Sequence, residues 1–198
     1  MLKDIILDCL QMLGEREVRN KVTELSHGGT VDKELSHLTV HEQDMVKLLI
    51  SCSLNVVNAV TRNLIKSLAM ENVKSDYDGR IYFKDLDHSI ISVKDVRDEL
   101  NAPIVFHVFF DHLRVPLKNK ELTVSYYFEH KPLNSMYESY DLPLSLTNHI
   151  VALGALSEYC ALKLLYNEAE MFESKFKAEL EDAAVQKGER KFPTWRRW

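Results

Sequence analysis

Leu2, Ile5, Ile6, Cys9, Leu10 and Leu13 recur at the i, i+3, i+4, i+7 spacing of an amphipathic helix, and Gly14 stands where such a helix ends. From residue 15 to residue 38 the pattern weakens, and Gly28-Gly29 marks a loop. Thr39 and Glu42 then form a capping box that opens a long helix. Met45, Leu49, Cys52, Val56, Val60, Leu64 and Leu68 would line one face of it, which predicts an end near Glu71.

After Asp78-Gly79 the period drops from 3.6 to two. Ile81 and Phe83, Ile91 and Val93, residues 104–110, Leu113 and Val115, and residues 122–128 read as short strands, separated by Asp87-His88, Asn101-Ala102-Pro103 and Lys118-Asn119-Lys120. Residues 79–131 are therefore expected to form one small antiparallel sheet. Residues 132–143 read as a linker. The helical period returns over 146–165, where Ile150, Leu153, Leu156, Cys160 and Leu164 face one way. A last helix over 168–184 places Phe172, Phe176 and Leu180 at fourfold spacing, pairs Glu173 with Lys177, and closes at Gly188.

Neither helical half can bury its apolar stripe alone. The expected fold is therefore α+β: a helical bundle formed by the N- and C-terminal helices, with an inserted small antiparallel β-module and an extended C-terminal arm. The segments are 1–78 for the first helices, 79–131 for the module, 132–186 for the last helices and 187–198 for the arm. Its 198 residues, 45% hydrophobic and 28% charged, are ordinary for a globular chain. The N-terminal residues break their apolar run with Lys3, Asp4 and Asp8, so neither a signal peptide nor a membrane span is expected there. Cys9, Cys52 and Cys160 lie far apart inside helical patterns and read as buried apolar residues of a reducing compartment.

Charge changes the picture at one end. Residues 187–198 carry five basic residues and one acidic one, whereas the rest of the chain carries nine more acidic than basic residues. This basic segment also holds both tryptophans, in Phe192-Pro193-Thr194-Trp195-Arg196-Arg197-Trp198. Trp and Arg are the residue types most enriched in interface hot spots, so Phe192 to Trp198 is the candidate partner-binding element. A tail folded back on its own body is the alternative.

Candidate chemistry elsewhere is thin. No phosphate-cradling loop, nucleophile elbow, zinc motif or EF-hand loop occurs. His37, His41 and Asp44 straddle a helix start and read as solvated polar residues, and Asp111-His112 reads as a turn beside His107 and His130. The sequence therefore points to no catalytic residue, no metal site and no cofactor. Glu168, Glu170, Glu173, Glu179, Glu181 and Asp182 form the solvated face of the last helix.

Residues 150–160, Tyr166-Asn167-Glu168-Ala169-Glu170-Met171-Phe172-Glu173, Phe176-Lys177 and the terminal Pro193 to Trp198 together resemble head-to-tail adaptor (connector or neck) proteins of tailed bacteriophages. The likeness is clearest over the last fifty residues and elsewhere consists of element order; the sizeable β-module departs from the simplest members. It implies a structural virion protein that is not an enzyme. Its partners would be a portal protein bound by the C-terminal arm, copies of itself in a ring that the family makes twelvefold, and a downstream neck or tail protein. DNA would pass through the channel without sequence-specific binding, and no membrane would be involved. The location implied is the neck of the virion, with the host cytoplasm as the site of assembly. Three other readings remain open on the residues alone: a non-viral helical protein-protein interaction module, a nucleic-acid-binding protein whose Trp-Arg tail stacks on bases, and, last, an enzyme of unrecognised type.

Overall fold

The structure, a computed structural model, describes residues 1–64, 66–143 and 145–188, with side chains as far as Ala183. It is mixed α+β, with six α-helices and two small antiparallel sheets among the described residues. The chain divides into two units, Met1–Ala59 with Pro132–Trp198, and Val60–Lys131.

In the first unit, α1 (Leu2–Leu13) buries Leu2, Ile5, Ile6, Cys9 and Leu10, the residues its periodicity selects. Gly14 ends it in the left-handed conformation, φ 79°, and the next amide, of Glu15, donates to Leu10 O at 3.0 Å. Two short helices follow where the sequence pattern is weak: α2 (Arg16–Thr23) and α3 (Val31–Glu34). The capping box of α4 (Val40–Asn63) forms as its residues suggest. The Thr39 amide donates to Glu42 Oε2 at 2.8 Å, and the Glu42 amide donates to Thr39 Oγ1 at 3.4 Å. Lys21 of α2 also donates to Glu42, at 2.6 Å, so one carboxylate caps α4 and ties α2 to it.

By length and composition α4 could cross a membrane, with a mean hydropathy of 1.2 over 18 residues, but half of that window is buried in the fold. Val46, Leu49, Cys52 and Val57 are its core stripe. α5 (Asn148–Leu162), capped by the Thr147 hydroxyl, is buried all round rather than on one stripe. Ile150 to Leu156 without interruption, then Tyr159 and Cys160, are inaccessible. It packs against α1 and against α6 (Tyr166–Gly188). Gly154 marks the tightest point: a Cβ there would lie 2.7 Å from Val56 Cγ1 of α4 and 3.0 Å from Phe176 Cε2 of α6. α6 buries Phe172 and Leu180 and carries the expected Glu173–Lys177 pair at 2.5 Å.

Residues 132–143 have no helix or strand, yet they do not behave as a linker. Their backbone accepts from the α1 amides, Leu2 to Glu138 O and Lys3 to Met136 O, each at 2.8 Å, and from Val31 to Asn134 O at 2.7 Å. Glu34, 3% exposed, receives the Ser135 hydroxyl at 2.7 Å and the amides of Met136 and Gly28 at 2.8 and 3.2 Å. Burial pushes this carboxyl up, but the Ser135, Met136 and Gly28 bonds hold it below the ordinary carboxylate range.

The second unit corrects several boundaries. α4 stops at Asn63 rather than near Glu71, because Leu68–Lys74 is β1, paired antiparallel with β6 (Glu121–Glu129). Leu64 and Leu68 accordingly leave the helical stripe and are exposed. β3 (Ser89–Arg97) pairs on the other side of β6, giving the order β1-β6-β3. A second sheet, β2-β5-β4, is built from β2 (Arg80–Tyr82), β4 (His107–Val108) and β5 (His112–Arg114), so the single expected sheet is two sheets of three strands. Phe83 opens a 3-10 turn, and of residues 104–110 only His107 and Val108 are in a strand. The inward residues of β6, Leu122, Val124, Tyr126 and Phe128, form one core with Val96, Ile81 and Leu113. Gly79, φ 79°, is required at the turn into β2, because a Cβ there would overlap the Val115 carbonyl oxygen.

Two outcomes are expected. Gly154→Ala gains about 1 kcal/mol of helix propensity, but the overpacking against Val56 and Phe176 costs about 1–3 kcal/mol, so the variant melts lower than the parent. Adding Val56→Ala should lift part of that loss, and thermal melting of both variants checks the contact. Glu42 is held down to about 2, first by the hydrogen bond from Lys21 and then by the Thr39 amide. A carboxyl lowered in the folded state contributes stability above its unfolded value of about 4.3. That contribution disappears as pH falls toward 2, so Glu42→Gln should narrow the stability gap between pH 6 and pH 2.5 in denaturant titrations, by about the share this one group carries.

Candidate functional site

The outward face of the β2-β5-β4 sheet has a regular layout. Register places Arg80 opposite Arg114 and Arg114 opposite His107, so two arginines and a histidine cross the sheet in one row. Two residues along, Tyr82 lies opposite His112, and Phe109 stacks on the His112 ring at 4.8 Å and 6°. Like charges directly across a strand pair destabilise it, and Arg114 has no ion pair among the described residues. Arg80 is partly compensated by Asp78 at 3.8 Å, and His112 by Asp111 at 2.7 Å, where the His112 hydrogen bond lowers the Asp111 carboxyl. Beside this row the chain presents apolar side chains to solvent. Phe110 is fully exposed, Val105 is 77% exposed, and Val108 and Phe109 are also open. Val105, His107, Phe109, Arg114, Val115 and Pro116 line a shallow cleft there.

A second exposed apolar surface lies in the other unit, at the corner between α5 and α6. Leu162, Leu164, Leu165, Tyr166 and Met171 are all exposed, with Leu164 at 69%. Leu164 also has φ 61°, and the adjoining amides close the helix end, Leu164 to Ala161 O at 3.1 Å and Leu165 to Cys160 O at 2.9 Å. Where a helix ends in a left-handed residue, glycine usually fills this position. A leucine there costs about 1–2 kcal/mol of backbone strain, and its side chain gains no burial within the fold. Glu168 and Glu170 flank the corner and are exposed.

These surfaces differ in charge. Residues 60–131 carry eleven Lys and Arg against eleven Asp and Glu. The acidic excess of nine therefore falls on residues 1–59 and 132–186, the helical unit short of its basic last twelve residues.

Phe192, Pro193, Thr194, Trp195, Arg196, Arg197 and Trp198 lie outside the described residues. His37, His41 and Asp44 are exposed, and no group of three His, Cys, Asp or Glu is placed to hold a metal among the described residues. His130 is buried and bonds Ser67 at 3.1 Å, away from the Asp111–His112 pair. The exposed patches were missed because the sequence pattern reads their residues into regular elements: residues 104–110 as a strand, of which only His107 and Val108 form one, and Leu164 as part of the apolar stripe of α5, which ends at Leu162. No protein-family model matches the chain, and no curated protein matches it.

The three thiols are unsuited to nucleophilic work. Burial pushes Cys52 up to about 12, and burial raises Cys9 and Cys160 as well. Each is at most 1% exposed. In a thiol-reagent assay at neutral pH the native protein should therefore release almost no chromophore over minutes, and the denatured protein three equivalents. Rapid reaction of one thiol in the native state would place a reactive cysteine here.

Proposed function

We propose that the chain is a structural adaptor that works by contact rather than catalysis, of the kind that assembles as a ring between a phage portal and the neck or tail. The observation that carries this is the pair of exposed apolar surfaces, the Phe109-Phe110 edge of one unit and the α5–α6 corner of the other. Apolar patches of this sort mark interaction sites in a chain this size. In this reading the helices before residue 60 and after residue 132 make one bundle, and the β unit is an insertion in it. Of the residues carrying the likeness to head-to-tail adaptors, 150–160, 166–173 and 176–177 fall on α5 and α6, and Tyr166 and Met171 among them belong to the exposed corner.

Charge supports the same reading. Affinity for a phosphate backbone comes from cationic neutralisation, so an acidic helical surface facing a channel lets DNA pass without adhering. The basic arm is then kept for protein contacts. Trp195 and Trp198 anchor it on the portal, and Arg196 and Arg197 give planar, bidentate hydrogen bonds to carboxylates or carbonyls.

The test is a Trp195→Ala/Trp198→Ala variant, assayed for pull-down by portal protein alongside its melting curve. Loss of one buried interfacial Trp costs about 2 kcal/mol or more, roughly thirtyfold in affinity. Attachment should therefore fail while melting is unchanged. Normal attachment rules out the arm as the docking element, and a collapsed melting temperature shows instead that the tail packs on its own body.

A further inference from the structure

The two exposed surfaces complement each other. The β2-β5-β4 edge offers apolar side chains, Val105, Phe109 and Phe110, beside the cationic pair Arg80 and Arg114 and the imidazole of His107. The α5–α6 corner offers apolar side chains, Leu164, Tyr166 and Met171, beside Glu168 and Glu170. We propose that these surfaces bind each other between copies: the β edge of one copy seats on the α5–α6 corner of the next. The proposal rests on the self-assembly in the reading above and names the surfaces that carry it.

Three observations argue for a second copy of this chain as the occupant. Charge is the first, since Arg114 on the β edge has no ion pair among the described residues and residues 1–59 and 132–186 carry the acidic excess. The second is that each surface holds something unfavourable in the isolated chain. Arg80 and Arg114 set like charges side by side across the strand pair, and a facing carboxylate relieves them. Leu164 keeps a strained backbone with its side chain in water, and an apolar neighbour gives that side chain a place to be buried. The third is symmetry. The two surfaces are different, so their contact is heterologous, and repeated heterologous contacts close into rings or run on as filaments. Tyr82, half-buried beside Arg80, and Phe109 on His112 supply flat aromatic area of the kind found at interface centres.

The experiment is sedimentation of the full chain over a concentration series, up to ~100 µM and at low and high salt. The parent protein should associate with rising concentration, and less at high salt. Arg114→Glu and Glu170→Arg should each weaken association about tenfold, and the double variant, which restores the opposite charges, should recover most of it. Leu164→Gly separates interface from fold: it should raise the melting temperature, because glycine suits the left-handed position, while weakening association. If the parent associates and none of these variants alters it, the surfaces are wrong and self-assembly stands. A parent that stays monomeric throughout removes both the surfaces and the self-assembly reading. Association that nuclease abolishes and a single-stranded oligonucleotide restores assigns the cationic pair to nucleic acid and overturns the proposal.

Discussion

The helical unit depends on one buried carboxylate. Glu34 sits at the end of a single helical turn and is almost inaccessible, and an ion so placed persists only when its oxygens are satisfied. Ser135, Met136 and Gly28 satisfy them, which brings a loop from residue 28 and a strandless segment from residue 135 to the same point. From there the consequences spread. The same segment accepts the first amides of α1 and the amide of Val31, groups that a helix start otherwise leaves open. Lys3 adds to it through Tyr137 Oη at 3.3 Å and the carbonyl of Thr23 at 2.9 Å. Without the carboxylate, three donors would lose their acceptor inside the protein, so α1, α3 and the 132–143 segment form one interdependent knot.

Against that knot, α5 is the packing centre. A helix with apolar residues on every side must be surrounded, and α1, α4 and α6 surround it. Gly154 sets how closely they approach. The exposed face of α6 is then left to carry charge, with Glu168, Glu170, Glu173, Glu181 and Asp182 in solvent. The β unit distributes its polarity differently: its two sheets share one apolar core, and its electrostatic character lies in the cross-strand order of a single outward face.

What was legible in the sequence was what local physics decides. The capping box at Thr39, the Gly14 stop, the Glu173–Lys177 pair and the apolar periods of α1 and α6 each involve neighbours within a turn or two. What was not legible depends on distant partners. Leu68, Ala69, Met70 and Glu71 are helix formers by propensity, yet they form a strand because β6, some fifty residues later, pairs with them. The buried role of residues 132–143 is equally hidden, since Glu34 lies a hundred residues upstream. The exposed corner escaped for a different reason: Leu164 continues the apolar spacing of α5, and only its left-handed backbone turns it outward. The aromatic arm, legible as a binding element from composition, lies outside the described residues.

The helical unit is discontinuous in the chain, with residues 60–131 interposed between its parts. During synthesis this imposes an order. The β unit is continuous, so its strands can pair as soon as β6 has emerged, whereas α1 waits for α5, which it packs against, and Val56 of α4 for Gly154 of the same helix. Until then the stripes of α1 and α4 are unsatisfied hydrophobic surfaces on a nascent chain, the kind that chaperones hold and that aggregate when left uncovered. Long-range closure of this type raises contact order and slows folding. The helical unit is accordingly the late and vulnerable step of biogenesis, and the ribosome-bound chain carries a finished β unit before its helical core exists.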